Sequence, residues 1–183
     1  MKAVTIRLSA LFLALSLFSI PLTANAASKT EINAKVKATM TTFYSQVKSG
    51  KELANKAVAI LVFPDVFKAG IGIGGEYGEG AMLEGGKTTG YYSTAAASIG
   101  FQLGAQVKSQ VIMFMTRQAL RDFKHSEGWK AGVDGSVALV TIGAGGEIDS
   151  NTVKDPIIGF IFSNKGLMYN LTFEGAKITK LDK

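Results

Sequence analysis

Residues able to attack a bond or hold a metal ion are scarce in this sequence. His125 is the single histidine and cysteine is absent from all 183 residues, so a histidine triad, a thiol nucleophile and a zinc site lack their parts. The carboxylates that remain as acid–base candidates are Glu76 with Glu79, Glu147 with Asp149, and Asp134. Three residues apart in a strand, Glu76 and Glu79 point to opposite faces and cannot work as a pair. Asp149-Ser150-Asn151 has turn chemistry but lacks the rest of a calcium loop. Gly70 to Gly75, GIGIGG, spells G-x-G-x-x-G. A dinucleotide site would need a helix opening at the last glycine and an acidic residue about 20 positions on. EYGEGAMLEGG follows instead, without helical period, and no carboxylate stands near Gly90. The expectation is a protein with no catalytic centre, no cofactor and no metal.

What the sequence does offer is positive charge in two places. Lys35, Lys37 and Lys48 lie along one amphipathic segment, and Arg117, Arg121 and Lys124 recur at four- and three-residue steps on another. Such cations can contact phosphates, although a solvated helix face is the ordinary role of such a row. Lys2 and Arg7, an apolar run from Leu8 to Ile20 and Ala24-Asn25-Ala26 together make a secretory signal peptide spanning residues 1–26. Cleavage after Ala26 leaves 27–183 as one domain, large enough for a real core. Of 20 Lys+Arg, loss of Lys2 and Arg7 leaves 18 against 14 Asp+Glu, a net charge of +4. That balance favours anionic surfaces and is too weak for nucleic acid. The expected location is the periplasm or the medium, and without disulfides the domain holds together by packing alone.

The elements that position these cations follow from periodicity. Ser28 caps a helix, with Glu31 at capping-box spacing, in which Ile32, Val36, Met40, Phe43 and Val47 form one stripe ending near Gly50. VAILVFP, Val58 to Pro64, reads as a buried strand. In KAGIGIGGEYGEG, Gly70, Gly72 and Gly74 leave one strand face bare while Ile71 and Ile73 fill the other, which calls for a neighbour pressed against the bare side. Glu84 to Lys87 reads as a turn. From Ile99 to Lys108 apolar and polar residues alternate as in a half-buried strand, with Gln106 and Lys108 on the polar face. Val111 to Met115 is a further strand, and Thr116 caps a short helix, Arg117 to His125. Strands follow at Val133 to Ile142 and from Ile157, with a hairpin turn at Asn164-Lys165-Gly166 and a strand from Leu167 to Phe173. The fold class is α+β. A mainly antiparallel sheet of seven or eight strands, sandwich or barrel-like, packs with an N-terminal amphipathic helix and a second short helix.

Four blocks in order carry a resemblance: VAILVFPDVFKAGIGIGGEYGEGAML, GYYSTAAASIGFQLGAQVKSQVIMFMT, WKAGVDGSVAL and DPIIGFIFSNKGLMYNLTFEGAKITKL. They look like the SYLF-domain family over roughly Ser28 to Leu181. The resemblance implies lipid binding. Eukaryotic members bind phosphoinositides, aided by an N-terminal amphipathic or basic segment, and some act in membrane remodelling and actin organisation. With a signal peptide and without appended Src-homology or FYVE modules, this chain is similar to the bacterial exported branch, for which phosphoinositides and actin are not available partners.

The function expected is therefore an exported, non-enzymatic domain that meets anionic phospholipid or a membrane surface through Lys35, Lys37, Lys48, Arg117, Arg121 and Lys124. The first helix or an apolar loop would sample the interface. A soluble carrier enclosing an apolar ligand is the alternative. An outer-membrane barrel ranks last, since the mature segment opens with a helix.

Overall fold

The structure is a computed structural model that describes residues 27–141, 154–166 and 175–183. The signal-peptide segment, Glu147, the Gly143–Gly146 break, Asp149 to Asn151 and the strand expected from Leu167 to Phe173 lie outside these residues.

Helix α1, Lys29–Gln46, starts where Ser28 accepts a hydrogen bond from the Glu31 N–H at 3.2 Å. Its stripe of Ile32, Val36, Met40 and Phe43 is buried. A second helix, α2, Gly50–Lys56, follows where the sequence pattern has only a stop. Gly50 opens α2 rather than ending α1, because a Cβ there would lie 2.8 Å from the Phe43 ring.

Strands β1, Ala59–Glu84, and β2, Lys87–Phe114, are 26 and 28 residues long and pair antiparallel along their whole length. The shorter strands expected from the pattern merge, because bulges bend this ribbon without breaking its ladder. Gly85 and Gly86, with φ of 56° and 78°, make the tight turn between the strands. The ribbon then folds double. A Cβ on Gly70 would strike the Gly74 backbone, one on Gly78 would sit 2.7 Å from the Asp65 carbonyl oxygen, and one on Gly80 would run into the Val62 carbonyl oxygen. The bare glycine face thus points inward, and the neighbour pressed against it is the same strand returning.

Beyond β2, strand β5, Ile157–Gly166, pairs with its C-terminal half, and β6, Lys177–Leu181, with its N-terminal half. Short strands β3, Trp129–Lys130, and β4, Ala138–Thr141, add to β6 and β5. The described residues make a six-stranded, mainly antiparallel sheet curled into a half-barrel, with β4 parallel to β5. Asn164-Lys165-Gly166 continues β5 and is not a turn, since its ladder to β2 runs on to Gly166. The strand expected from Val133 begins only at Ala138. Gly132 to Gly135 form a turn that Asp134 closes by accepting the Lys130 N–H at 2.7 Å.

Alternation along the strands gives two cores. On the outer face, Ile60, Val62, Val111, Met113, Ile158 and Phe160 meet α1 and α2. On the inner face, Leu61, Phe63, Met82, Ile112, Phe114 and Ile161 meet helix α3, Arg117–His125, together with Trp129. Phe123 binds that inner core, with its ring 4.9 Å from Phe114, 5.3 Å from Tyr92 and 5.7 Å from Trp129.

Candidate functional site

The six cations singled out by the sequence sit on two different layers. Because α1 covers the outer face and α3 the inner one, Lys35, Lys37 and Lys48 are not brought together with Arg117, Arg121 and Lys124. Lys35 is engaged by Glu31 at 3.0 Å and Asp65 at 3.2 Å, and those bonds hold its pKa above the ordinary lysine value. Arg121 donates to Gln118, and Lys124 reaches Glu84 at 2.7 Å. Lys48 and Arg117 are exposed. Lys37 borders a cavity. Two adjoining clefts of about 280 and 420 Å³ share Tyr44, Leu83 and Gly86, and Lys37 lines the larger with Val36 and Met40.

The apolar stripe of α1 is spent on its own core. Apart from Tyr44 on α1, 39% exposed, exposed apolar side chains stand elsewhere. Around the bend of the folded ribbon, Ile73 is 73% exposed, Phe67 58% and Tyr77 50%. They occupy odd positions of β1, on the face opposite the inward glycines. Each aromatic shares a cross-strand row with an exposed lysine: Phe67 with Val107 and Lys165, Tyr77 with Ala95 and Lys177. Directly opposed residues of a sheet lie on one face, so both rows end apolar on one side and cationic on the other. The Tyr77 hydroxyl donates to Glu79 at 2.9 Å, and partial burial with that carboxylate pushes its pKa up to about 12. Glu79 also accepts from the Ala27 N–H and pairs with Lys183 at 3.0 Å, so this carboxylate fastens both ends of the described chain to β1.

Period-two alternation was the signal for these three side chains. Apolar residues opposite a glycine face look like core, and only the fold-back of the ribbon shows that the glycines take the inside. The polar partners are inverted likewise. Gln106 and Lys108, expected on a solvent face, are each 1% exposed, and Lys108 pairs with Glu76 at 2.9 Å inside the half-barrel.

Among the described residues no group of three histidine, aspartate or glutamate side chains is placed to hold a metal ion. His125 is exposed at the end of α3. Glu76 faces inward and Glu79 takes the opposite face, as their spacing requires. No described helix is long and apolar enough to cross a membrane.

Among curated proteins none matches the chain. The family model described as Ysc84, Las17-binding protein actin regulator, matches residues 95–183, which takes in most of β2 and everything after it. The matched region contains the sheet partners β5 and β6 that curl the ribbon, together with α3. Residues 95–183 of this chain are thus similar to the SYLF (Ysc84) family.

Proposed function

We propose that this chain is an exported, non-enzymatic domain that attaches reversibly to anionic lipid surfaces through the bend of its folded ribbon. One observation carries the reading: Phe67, Ile73 and Tyr77 are exposed around that bend, in rows that end in Lys165 and Lys177. Amphipathic rims of aromatic and cationic side chains suit the headgroup region of a bilayer. Fully burying one such apolar side chain is worth roughly 1.5–3 kcal/mol. Each lysine near an anionic surface adds about 1 kcal/mol. Three partly buried side chains and two lysines are enough for reversible attachment. The exposed cations Lys37, Lys48 and Arg117 add attraction at longer range. Residues 1–26 have the layout of a secretion signal, which favours a periplasmic or secreted location. The family's description names Las17 and actin. An exported protein would meet neither, so the lipid surface is the partner retained.

The test is co-sedimentation with vesicles of phosphatidylglycerol and phosphatidylcholine mixed, set against phosphatidylcholine alone. Binding should favour the mixed vesicles and weaken with salt. The double variant Phe67→Ser with Ile73→Ser should lose about tenfold or more in affinity, the equivalent of about 1.4 kcal/mol, while melting at the wild-type temperature. Equal, salt-insensitive recovery with both vesicles, or none with either, refutes the reading.

A further inference from the structure

Where α1 and α2 approach the turn between β1 and β2, the outer layer does not close. The larger of the two clefts runs between α1 and that turn, and the smaller continues from Tyr44 to α2. Asn33, Lys37, Thr41 and Tyr44 recur on α1 at steps of four, four and three residues, so one helix face borders the larger cleft for about 16 Å. Leu83, Gly86 and Thr88 form the other wall. Asn33 fixes the two walls to each other: it donates to the Tyr91 hydroxyl and accepts from Thr88, each at 3.0 Å. The spacing of the walls is thus set by hydrogen bonds between two elements of the fold.

The lining divides by polarity. Val36, Met40 and Ile60 are 3%, 6% and 8% exposed, and with Leu83, Ala57 and Val58 they supply an apolar floor. Asn33, Lys37, Thr41 and Asn55 are exposed at the rim. The Tyr44 ring, 39% exposed, stands where the two clefts join. Among the described residues that line the clefts, Lys37 is the one charged side chain. Its ammonium has no hydrogen-bond or ion-pair partner among the described residues. The neighbouring charges are committed elsewhere, Lys35 to Glu31 and Asp65, and Glu84 to Lys124.

A floor without polar side chains and a rim with one cation select a ligand divided in the same way. The length of the groove calls for an extended chain, its floor for hydrocarbon, and a lysine with no carboxylate beside it for an anionic head. Joined, the two clefts reach the size of about 300–1,000 Å³ at which pockets hold small ligands. Met40, unbranched and adaptable, suits a flexible chain. We propose that the cleft between α1, α2 and the β1–β2 turn binds one acyl chain of an anionic amphiphile, with its carboxylate or phosphate at Lys37. The hydrocarbon would lie over Val36, Met40 and Leu83 and pass the Tyr44 ring toward α2. None of these residues belongs to the exposed rim at the bend, so the proposal stands apart from the vesicle reading.

Isothermal titration calorimetry of the full mature chain tests the proposal, with dodecanoate and dodecyl phosphate as probes and dodecanol as the neutral control. Saturable one-to-one binding of at least one anionic probe is expected, about fivefold tighter than that of dodecanol. Binding of both probes identifies any anionic head as sufficient, and binding of one alone identifies the head. Each methylene buried is worth up to about fourfold in affinity, so the eight-carbon analogue should bind roughly tenfold more weakly or worse. Thr41→Trp and Asn55→Trp, at exposed positions of the larger and smaller cleft, should each fill the path of the chain. Each should weaken binding about tenfold without lowering the melting temperature of the ligand-free protein. Lys37→Glu should abolish the preference over dodecanol while leaving dodecanol itself unchanged. Phe67→Ser with Ile73→Ser should leave this binding intact while losing vesicles, which separates the cleft from the surface reading. The proposal is overturned by the lack of saturable binding with either anionic probe, by equal binding of eight- and twelve-carbon chains, or by affinities that neither tryptophan variant changes. It is equally overturned if the ligand-free chain sediments as a dimer that Thr41→Trp makes monomeric, because a second copy would then occupy the cleft.

Discussion

The two ends of the folded ribbon obey opposite rules. Toward α3, side chains sort by polarity as in any soluble domain: Phe63, Phe114, Phe123 and Trp129 are inside and the cations of α3 are outside. Toward the bend the order inverts, with Lys68, Glu76, Gln106 and Lys108 inside and Phe67, Ile73 and Tyr77 outside. Along β2 one alternation runs through both ends, from Gln106 and Lys108 to Ile112 and Phe114 on the inner face, while on β1 the bulge between Phe63 and Val66 moves the inner face from odd to even positions. The α3 end is built for stability. The bend gives up part of that stability by holding polar groups dry and apolar groups wet.

The most severe way to break this comparison is to stop the two limbs from meeting. Gly80→Val places a branched side chain where the Val62 carbonyl already stands, and backbone cannot move aside as a flexible side chain does. Overpacking alone costs about 1–3 kcal/mol, and a clash with backbone adds to it. The variant should fail to give a cooperative thermal transition or melt at least 10 °C lower. A melting temperature within 2 °C of wild type would mean that the limbs are not in contact. Next in size is Trp129→Ala. Trp129 is 2% exposed and closes the inner core against Phe123. Its loss should cost about 3–5 kcal/mol in urea unfolding. The comparison sharpens against the bend, where Gln110, buried as deeply, is expected to tolerate leucine. If both substitutions cost the same, the two ends do not differ in kind.

How far the sequence made this visible depended on whether a signal was local. The caps at Ser28 and Thr116, the extent of α3 and the turn at Gly85-Gly86 were legible because each rests on hydrogen bonds or backbone angles within a few residues. The sheet class was legible from alternation. Helix α2 was not, because Gly50 reads as a stop until the Phe43 ring is seen against it. The inward lysines and outward aromatics were hidden by the same alternation that revealed the strand. Period two shows which residues share a face, and only the partner pressed on a face shows whether it is inner. That partner is β1 itself, folded back to meet Gly78 and Gly80. The six cations were singled out one at a time, from the spacing on their own segments. Their separation onto two layers follows from a topology that no local pattern encodes.

The smallest expected effect concerns the tie that holds the orthodox end closed. Glu84, at the close of β1, takes hydrogen bonds from Lys124 of α3 and from Thr89, and these lower its pKa from the ordinary carboxylate value of 4.5. A carboxylate whose pKa is lower folded than unfolded contributes stability above its unfolded pKa and loses it as pH falls through the folded one. The contribution is therefore complete at pH 7 and is lost as the pH falls below 4.5 and through the lower folded value. With side chains 28% and 39% exposed, the pair is screened by solvent. Pairs of this kind contribute about 0.2–1 kcal/mol. Lys124→Met should lower the melting temperature by about 1–3 °C at pH 7. At pH 3 the variant and wild type should melt together. The polar groups at the bend are not part of this tie, so Gln106→Leu should differ from wild type by the same amount at both pH values. A difference for Lys124→Met that persists at pH 3 would assign its effect to lost packing of the lysine stem on β1, and the charge at this end would then carry no stability.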